Sequence, residues 1–306
     1  MHCRGCMPEA GKGGAMLRAF QSPFVLAGVC IFFGSIIDLL VKLIALDRPV
    51  LMLTSWRFLI GTIITVTMFR LARKPMPSAS AIRFHFFRGG AQASCAALFF
   101  WSLTQLALAE ATILGFLSAL MIGPMAVPIL GERLKWISVL AALIGFTGAI
   151  LALSATPSGA PEDGSRLMGA VAAFVAAALY ALTLVLLRLR TRQEDTLTLV
   201  MFSNIMPAVW LLPFLIFYLP EFRPTDVPLF GSLSVLGILV WWFFTMAYAR
   251  APAQKLAPFE FTALVWSAMF GMVFFNEIPG WQLYAGALLI IGACMITSFS
   301  KETASA

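Results

Sequence analysis

The chain has 306 residues, 60% of them hydrophobic and 11% charged, with a mean hydropathy of +0.92. A soluble domain carries about 25% Asp, Glu, Lys and Arg to face water, so charges this sparse cannot coat a folded surface and a soluble globular protein is excluded. The net charge of +7 has no soluble domain on which to form a basic face, and nucleic acid is excluded as a partner.

A helix crossing the hydrocarbon needs roughly 20 mostly apolar residues. Runs of that kind lie near 24–46, 50–70, 85–106, 110–131 and 135–153. The polar stretch SATPSGAPEDGSR at 154–166 has linker composition, and five more runs follow near 167–188, 196–219, 228–248, 256–276 and 280–299. The reading is an all-α membrane protein of ten transmembrane helices. Short polar tails cover 1–23 and 300–306. The first apolar run is too long for the core of a signal peptide and lacks a small-x-small cleavage site.

Lys and Arg accumulate on the side of a membrane from which they need not be translocated. With a cytoplasmic N-terminus, sixteen of the 21 basic residues fall inside and three outside (Arg48, Arg166 and Arg223), leaving Lys42 and Arg57 within spans. Both termini are therefore expected in the cytoplasm. The net charge is a topology signal.

The two halves repeat each other. FLSALMIGPMAVPILGE at 116–132 and FTALVWSAMFGMVFFNE at 261–277 have equal length, open on Phe, close on Glu and are followed by Trp136 and Trp281. FFWSLTQLALAEA at 99–111 likewise aligns with LVWWFFTMAYARA at 239–251, which leaves about five extra residues in PAQKL before the ninth helix. Because each half, 24–153 and 167–299, holds an odd number of spans, the halves must cross with opposite orientations. Inverted repeats of this kind are the architecture of secondary transporters. A membrane-embedded enzyme is the competing class, but the two histidines, His2 and His85, lie outside any catalytic motif.

Several motifs give the chain a specific likeness. DLLVK at 38–42, WRF at 56–58, RGG at 88–90, LALAEATILGF at 106–116, LGERLKW at 130–136, ALYALTLVLLR at 178–188 and APFEFTALVW at 257–266 occur in this order across both halves. They resemble the drug/metabolite transporter superfamily, EamA type. Ala119 stands where that family often has a proline. The resemblance implies a ten-helix carrier of the bacterial inner membrane with its substrate cavity between the halves. Relatives export amino acids and other metabolites, and some import nucleoside-like compounds or riboflavin. Export of amino acids is the expected activity, import of a larger aromatic metabolite the alternative.

Ionisable groups inside a membrane are costly and usually face a cavity or each other. Asp38 and Lys42 are four residues apart and share a helix face. They either satisfy one another or meet the charged ends of a zwitterionic substrate. Arg57 either holds a carboxylate as a bidentate pair or locks Asp38. Paired in this way, Asp38 would stay ionised and carry protons poorly, which leaves Glu260 as the coupling carboxylate in what is otherwise a facilitator. Glu260 can equally mark a helix N-terminus.

Trp101, Tyr180, Trp242 and Trp266 lie within spans expected to line the cavity, where they bind substrate or pack. Gln105 and Asn204 hydrogen-bond a substrate or a neighbouring helix. Glu132 and Glu277 are expected to cap the following helices, with Glu110 at the membrane edge. Trp136 and Trp281 read as interfacial belt residues, and Trp241 as packing. GFTGA at 145–149, Gly286 and Gly292 are expected to bring spans five and ten together, giving a functional monomer. Cys3 and Cys6 form a C-x-x-C with no second ligand pair, so no metal or other cofactor is expected.

Overall fold

The computed structural model describes residues 22–130, 136–154, 165–190, 194–248 and 259–300. These residues form ten α-helices: α1 Pro23–Ile44, α2 Val50–Leu71, α3 Ala79–Gln105, α4 Leu108–Leu130, α5 Trp136–Leu153, α6 Arg166–Arg190, α7 Thr196–Phe217, α8 Asp226–Tyr248, α9 Thr262–Phe275 and α10 Trp281–Ser300. Each apolar run read as a span holds a helix among the described residues; that of the ninth run, read from near 256, begins at Thr262. Six (α1, α2, α4, α6, α7 and α8) contain stretches long and apolar enough to cross a membrane, while α5, α9 and α10 contain shorter apolar helices.

Local chemistry sets the helix ends. Pro23 opens α1, where its missing N–H removes a donor that would have no helical partner. The Ser78 hydroxyl accepts from the Ala81 amide and starts α3 at Ala79, six residues before the expected span at 85. The early turns carry Arg83 and His85 and escape a search for apolar runs, although a helix need not be apolar where it leaves lipid. Asp195 caps α7 by accepting from the Thr198 amide at 3.0 Å. At the far end of α9, Asn276 adopts φ 54°, and the Glu277 amide reaches back to Gly271 O at 3.0 Å. This left-handed C-terminal turn reverses the chain.

The helices pack as pairs drawn from the two halves. The largest interfaces join α5 to α10, α3 to α6, α2 to α7, α4 to α6 and α1 to α8, with α9 lying between α1 and α4. Close backbone approach explains the first of these. A Cβ on Gly148 would lie 2.7 Å from Gly286 O, and one on Gly286 would lie 2.4 Å from Gly148 O. Gly145 instead faces Leu120 of α4, and a Cβ on Gly292 would meet nothing within 4 Å, so the expectation for Gly292 fails. The main core draws on α1 to α6 and α8 to α10 and contains Val41, Met52, Leu103, Leu108, Ile113, Leu117, Phe230 and Ile290.

Candidate functional site

Asp38, Lys42 and Arg57 were expected to form one cluster, and the structure divides them. Lys42 does not pair with Asp38. Its ammonium is buried, forms an ion pair with Glu277 Oε1 and donates to Leu106 O at 2.6 Å. Glu277 Oε2 accepts from the Leu108 amide at 2.8 Å. The two charges thus hold the free carbonyl and amide of the extended break between α3 and α4, where Leu106 has φ −119° and ψ 158°. Helix adjacency made Asp38 the expected partner. A buried ammonium instead takes the partner that also satisfies stranded backbone groups, because unpaired polar groups are costly at this depth.

Glu277 is therefore not a cap for α10. The turn at Asn276 folds it back into the bundle at 3% exposure. Glu110, in the first turn of α4, is buried, accepts from the Ala107 amide at 3.1 Å and pairs with Arg166. Arg48 pairs with Asp226 at 2.8 Å. These contacts gather at the end of the bundle that carries Ser154 and Arg166, called here the linker end. Glu132, the counterpart of Glu277 in the first half, lies outside the described residues, as do Cys3 and Cys6.

One turn below Lys42, Asp38 lies within Coulombic range of Arg57, but no ion pair or hydrogen bond joins them among the described residues. Arg57 is placed by contacts that leave its donors unused. Its guanidinium carbon lies 4.9 Å from the Phe58 ring centroid and 5.4 Å from that of Phe100. A Cβ on Gly237 of α8 would sit 2.8 Å from Arg57 Nη2. The Ser234 hydroxyl donates to the Arg57 carbonyl at 2.7 Å. Arg57 Nε is buried without a hydrogen-bond partner among the described residues.

A second group lies nearer the opposite end. Glu260 lines a small recess with Ala27, Cys30, Ile31, Phe244, Ala247 and Phe259. Cys30, Cys294 and Tyr180 are within its Coulombic range. Trp266 is half-buried, edge-on to Phe32 at 4.8 Å and stacked near Phe270 at 6.4 Å. Tyr180 and Trp242 are exposed in the bundle, and Trp101 is half-buried.

The two amides act as packing groups here. Gln105 donates to the Thr104 hydroxyl at 2.9 Å and lies against Gly169 of α6. Asn204 donates to Val200 O at 2.9 Å, and its Oδ1 would sit 2.4 Å from a Cβ on Gly61. Trp136 and Trp281 are exposed, in keeping with belt positions, and Trp241 contacts Phe244 at 5.8 Å.

Sequence reasoning passed over a buried polar network at the end opposite the linker. The His85 ring stacks on Phe202 with centroids 4.4 Å apart. Arg88 Nε donates to His85 Nδ1 at 3.1 Å, and His85 Nε2 meets Glu194 at 2.8 Å. Arginine can only donate, so His85 Nδ1 accepts and Nε2 carries the proton that bonds Glu194. Arg88 also donates to the Ser203 hydroxyl at 2.9 Å. Lys74 pairs with Asp195 at 2.7 Å. The signal was RGG at 88–90: an arginine beside two glycines marks close helix approach. A Cβ on Gly89 would meet Met206 of α7 at 2.3 Å.

Comparison with known proteins agrees with this architecture. The profile of the EamA-like transporter family matches the chain twice, over residues 22–154 and 167–299. A riboflavin transporter of Brucella anthropi is 26% identical over 255 residues, 81% of this chain and 87% of that protein. The pseudopaline exporter CntI of Pseudomonas aeruginosa is 24% identical over 290 residues, 94% and 99% of the two chains. An S-adenosylmethionine uptake transporter of Rickettsia prowazekii is 25% identical over 203 residues, 66% and 67% of the two chains. A solved crystal structure shares the fold with a TM-score of 0.58 at 23% identity, covering 92% of this chain and 99% of that one. With both halves of its length matched, the chain belongs to the EamA-like transporter family and is a multi-pass membrane transporter of small molecules, not an enzyme.

Proposed function

We propose that the protein is an alternating-access carrier built from two inverted halves, that both termini face the cytoplasm, and that it exports amino acids or similar small metabolites. The observation that carries this reading is the pattern of helix contacts. Exchanging each helix with the one five places later turns the α3–α6 interface into the α8–α1 interface and leaves α2–α7 and α5–α10 unchanged. Two halves related in this way can rock about a central site. In the proposed orientation the linker end is external.

Asp38 and Arg57 are the proposed polar centre, with Glu260, Tyr180, Trp101, Trp242 and Trp266 as further cavity residues. Lys42, Gln105 and Asn204 drop out of the substrate set, since each has a structural partner. Lys42 belongs to Glu277, so it does not lock Asp38 in the ionised form. The case against Asp38 as a proton carrier then rests on Arg57 alone, which lies within Coulombic range without pairing, and Asp38 joins Glu260 as a candidate coupling carboxylate. A second reading, import of a larger aromatic solute, draws on the aromatic group of Phe32, Trp266 and Phe270. It draws also on relatives named as a riboflavin transporter and as an S-adenosylmethionine uptake transporter.

The test is counterflow in liposomes containing the purified protein, with labelled amino acids, riboflavin, S-adenosylmethionine and nucleosides, each with and without an imposed pH gradient. Counterflow of amino acids supports the first reading and of riboflavin or S-adenosylmethionine alone the second. Loss of gradient-driven accumulation in Asp38→Asn or in Glu260→Gln identifies the coupling carboxylate. No counterflow of any solute by folded protein would remove both readings.

A further inference from the structure

We propose that Asp38 and Arg57 are the two poles of a zwitterion site, Arg57 taking the carboxylate of the substrate and Asp38 its ammonium. The inference rests on the transport reading above and gives that site its substrate chemistry.

The first support is that Arg57 is positioned without using its donors. Phe58 and Phe100 contact the guanidinium, Gly237 permits close approach of α8, and Ser234 fixes the backbone. Nε is enclosed with no hydrogen-bond partner among the described residues. A guanidinium held by apolar contacts with its N–H edge unspent is prepared for a planar anion, which it binds through two parallel bonds. Orphaned donors at this depth are otherwise a penalty without return.

The gap between the two charges is the second. Asp38 and Arg57 attract one another electrostatically, yet no ion pair joins them. A direct pair would have satisfied both and left nothing to bind. A molecule carrying both charges completes two pairs at once, whereas a lone anion or amine leaves one pole unsatisfied.

Third, the rival cation is removed. Lys42 lies one helical turn from Asp38 toward the linker end, where it would be expected to neutralise that carboxylate. Its ammonium is instead committed to Glu277 and Leu106 O. The arrangement therefore presents one unpaired negative pole and one unpaired positive pole, and closes the linker end above them with a separate ion pair.

The experiment uses the full chain in liposomes and a panel of labelled L-amino acids. For an amino acid that undergoes counterflow, inhibition is measured by its analogue lacking the amino group and its analogue lacking the carboxylate. Each analogue is expected to inhibit about 10- to 100-fold more weakly than the parent, the scale of a lost charge-assisted bond. Asp38→Asn is expected to abolish discrimination against the analogue lacking the amino group, and Arg57→Lys to raise KM by about tenfold or more while maximal rate changes less. The wild-type selectivity ratio needs no variant, so a misfolded substitution cannot hide the answer. Inhibition by either analogue equal to that of the parent amino acid would overturn the proposal. Counterflow of riboflavin or a nucleoside with no amino acid carried would overturn it while leaving the carrier reading intact.

Discussion

Asp195 shows how a single side chain holds a helix start and ties two connections together. Burial works against its charge, but the Lys74 ammonium 2.7 Å away and the bonds from the Thr198 hydroxyl and amide outweigh it and hold the carboxyl below the ordinary range. A depressed pKa means that the folded state favours the ionised form. The contribution is full above the unfolded-state value and is lost as pH falls through the lower folded-state value. Asp195→Ala is expected to cost about 1 kcal/mol as a lost N-cap. Thermal unfolding of detergent-solubilised protein should show a deficit near neutral pH that narrows as pH drops below about 4. A deficit that stays constant with pH would show that the carboxylate charge is not what matters. Run length puts the seventh span near 196 without singling out Asp195 as its cap. The pairing with Lys74, more than a hundred residues away, is a product of the tertiary fold.

Among the elements, the break between α3 and α4 depends most on a distant contact. A two-residue connection leaves the Leu106 carbonyl and the Leu108 amide without helical partners, and the Lys42–Glu277 pair supplies both. Removing one partner of a buried ion pair leaves the other charge stranded, at a typical cost of about 3–5 kcal/mol. Lys42→Met and Glu277→Gln are each expected to lower the thermal midpoint and the yield of folded protein. The Lys42→Met/Glu277→Leu double variant should recover part of the loss, because no uncompensated charge then remains. A double variant worse than the sum of both singles would count against the pairing as the source of stability. The same logic explains why α3 begins at Ala79 and why α9 ends at Asn276: a serine cap and a left-handed turn, not hydropathy, set those ends.

At the scale of the whole molecule, the charge bias and the odd number of spans per half make a definite topological prediction. Single cysteines placed in the 154–166 linker of a cysteine-free background should react with an impermeant thiol reagent added outside intact cells. Cysteines at 74–77, in the α2–α3 connection, should react only after permeabilisation. Labelling in the reverse sense would invert the orientation, and labelling of both from one side would dismantle the two-half arrangement.

Composition alone determined that lipid solvates this chain, because 11% charge cannot cover a soluble surface. Run length determined the helix number, since it depends on residues close in sequence. The α5–α10 seam was also legible, as small residues at helical spacing signal close approach whatever the partner. Partner choice was decided only by the tertiary structure. Lys42 and Glu277 are separated by 235 positions, and Arg57 and Gly237 lie in opposite halves. Helical spacing favours Asp38 for Lys42 because it sees one helix at a time. Which charges are satisfied and which stay open depends on the groups that other helices bring to the same depth.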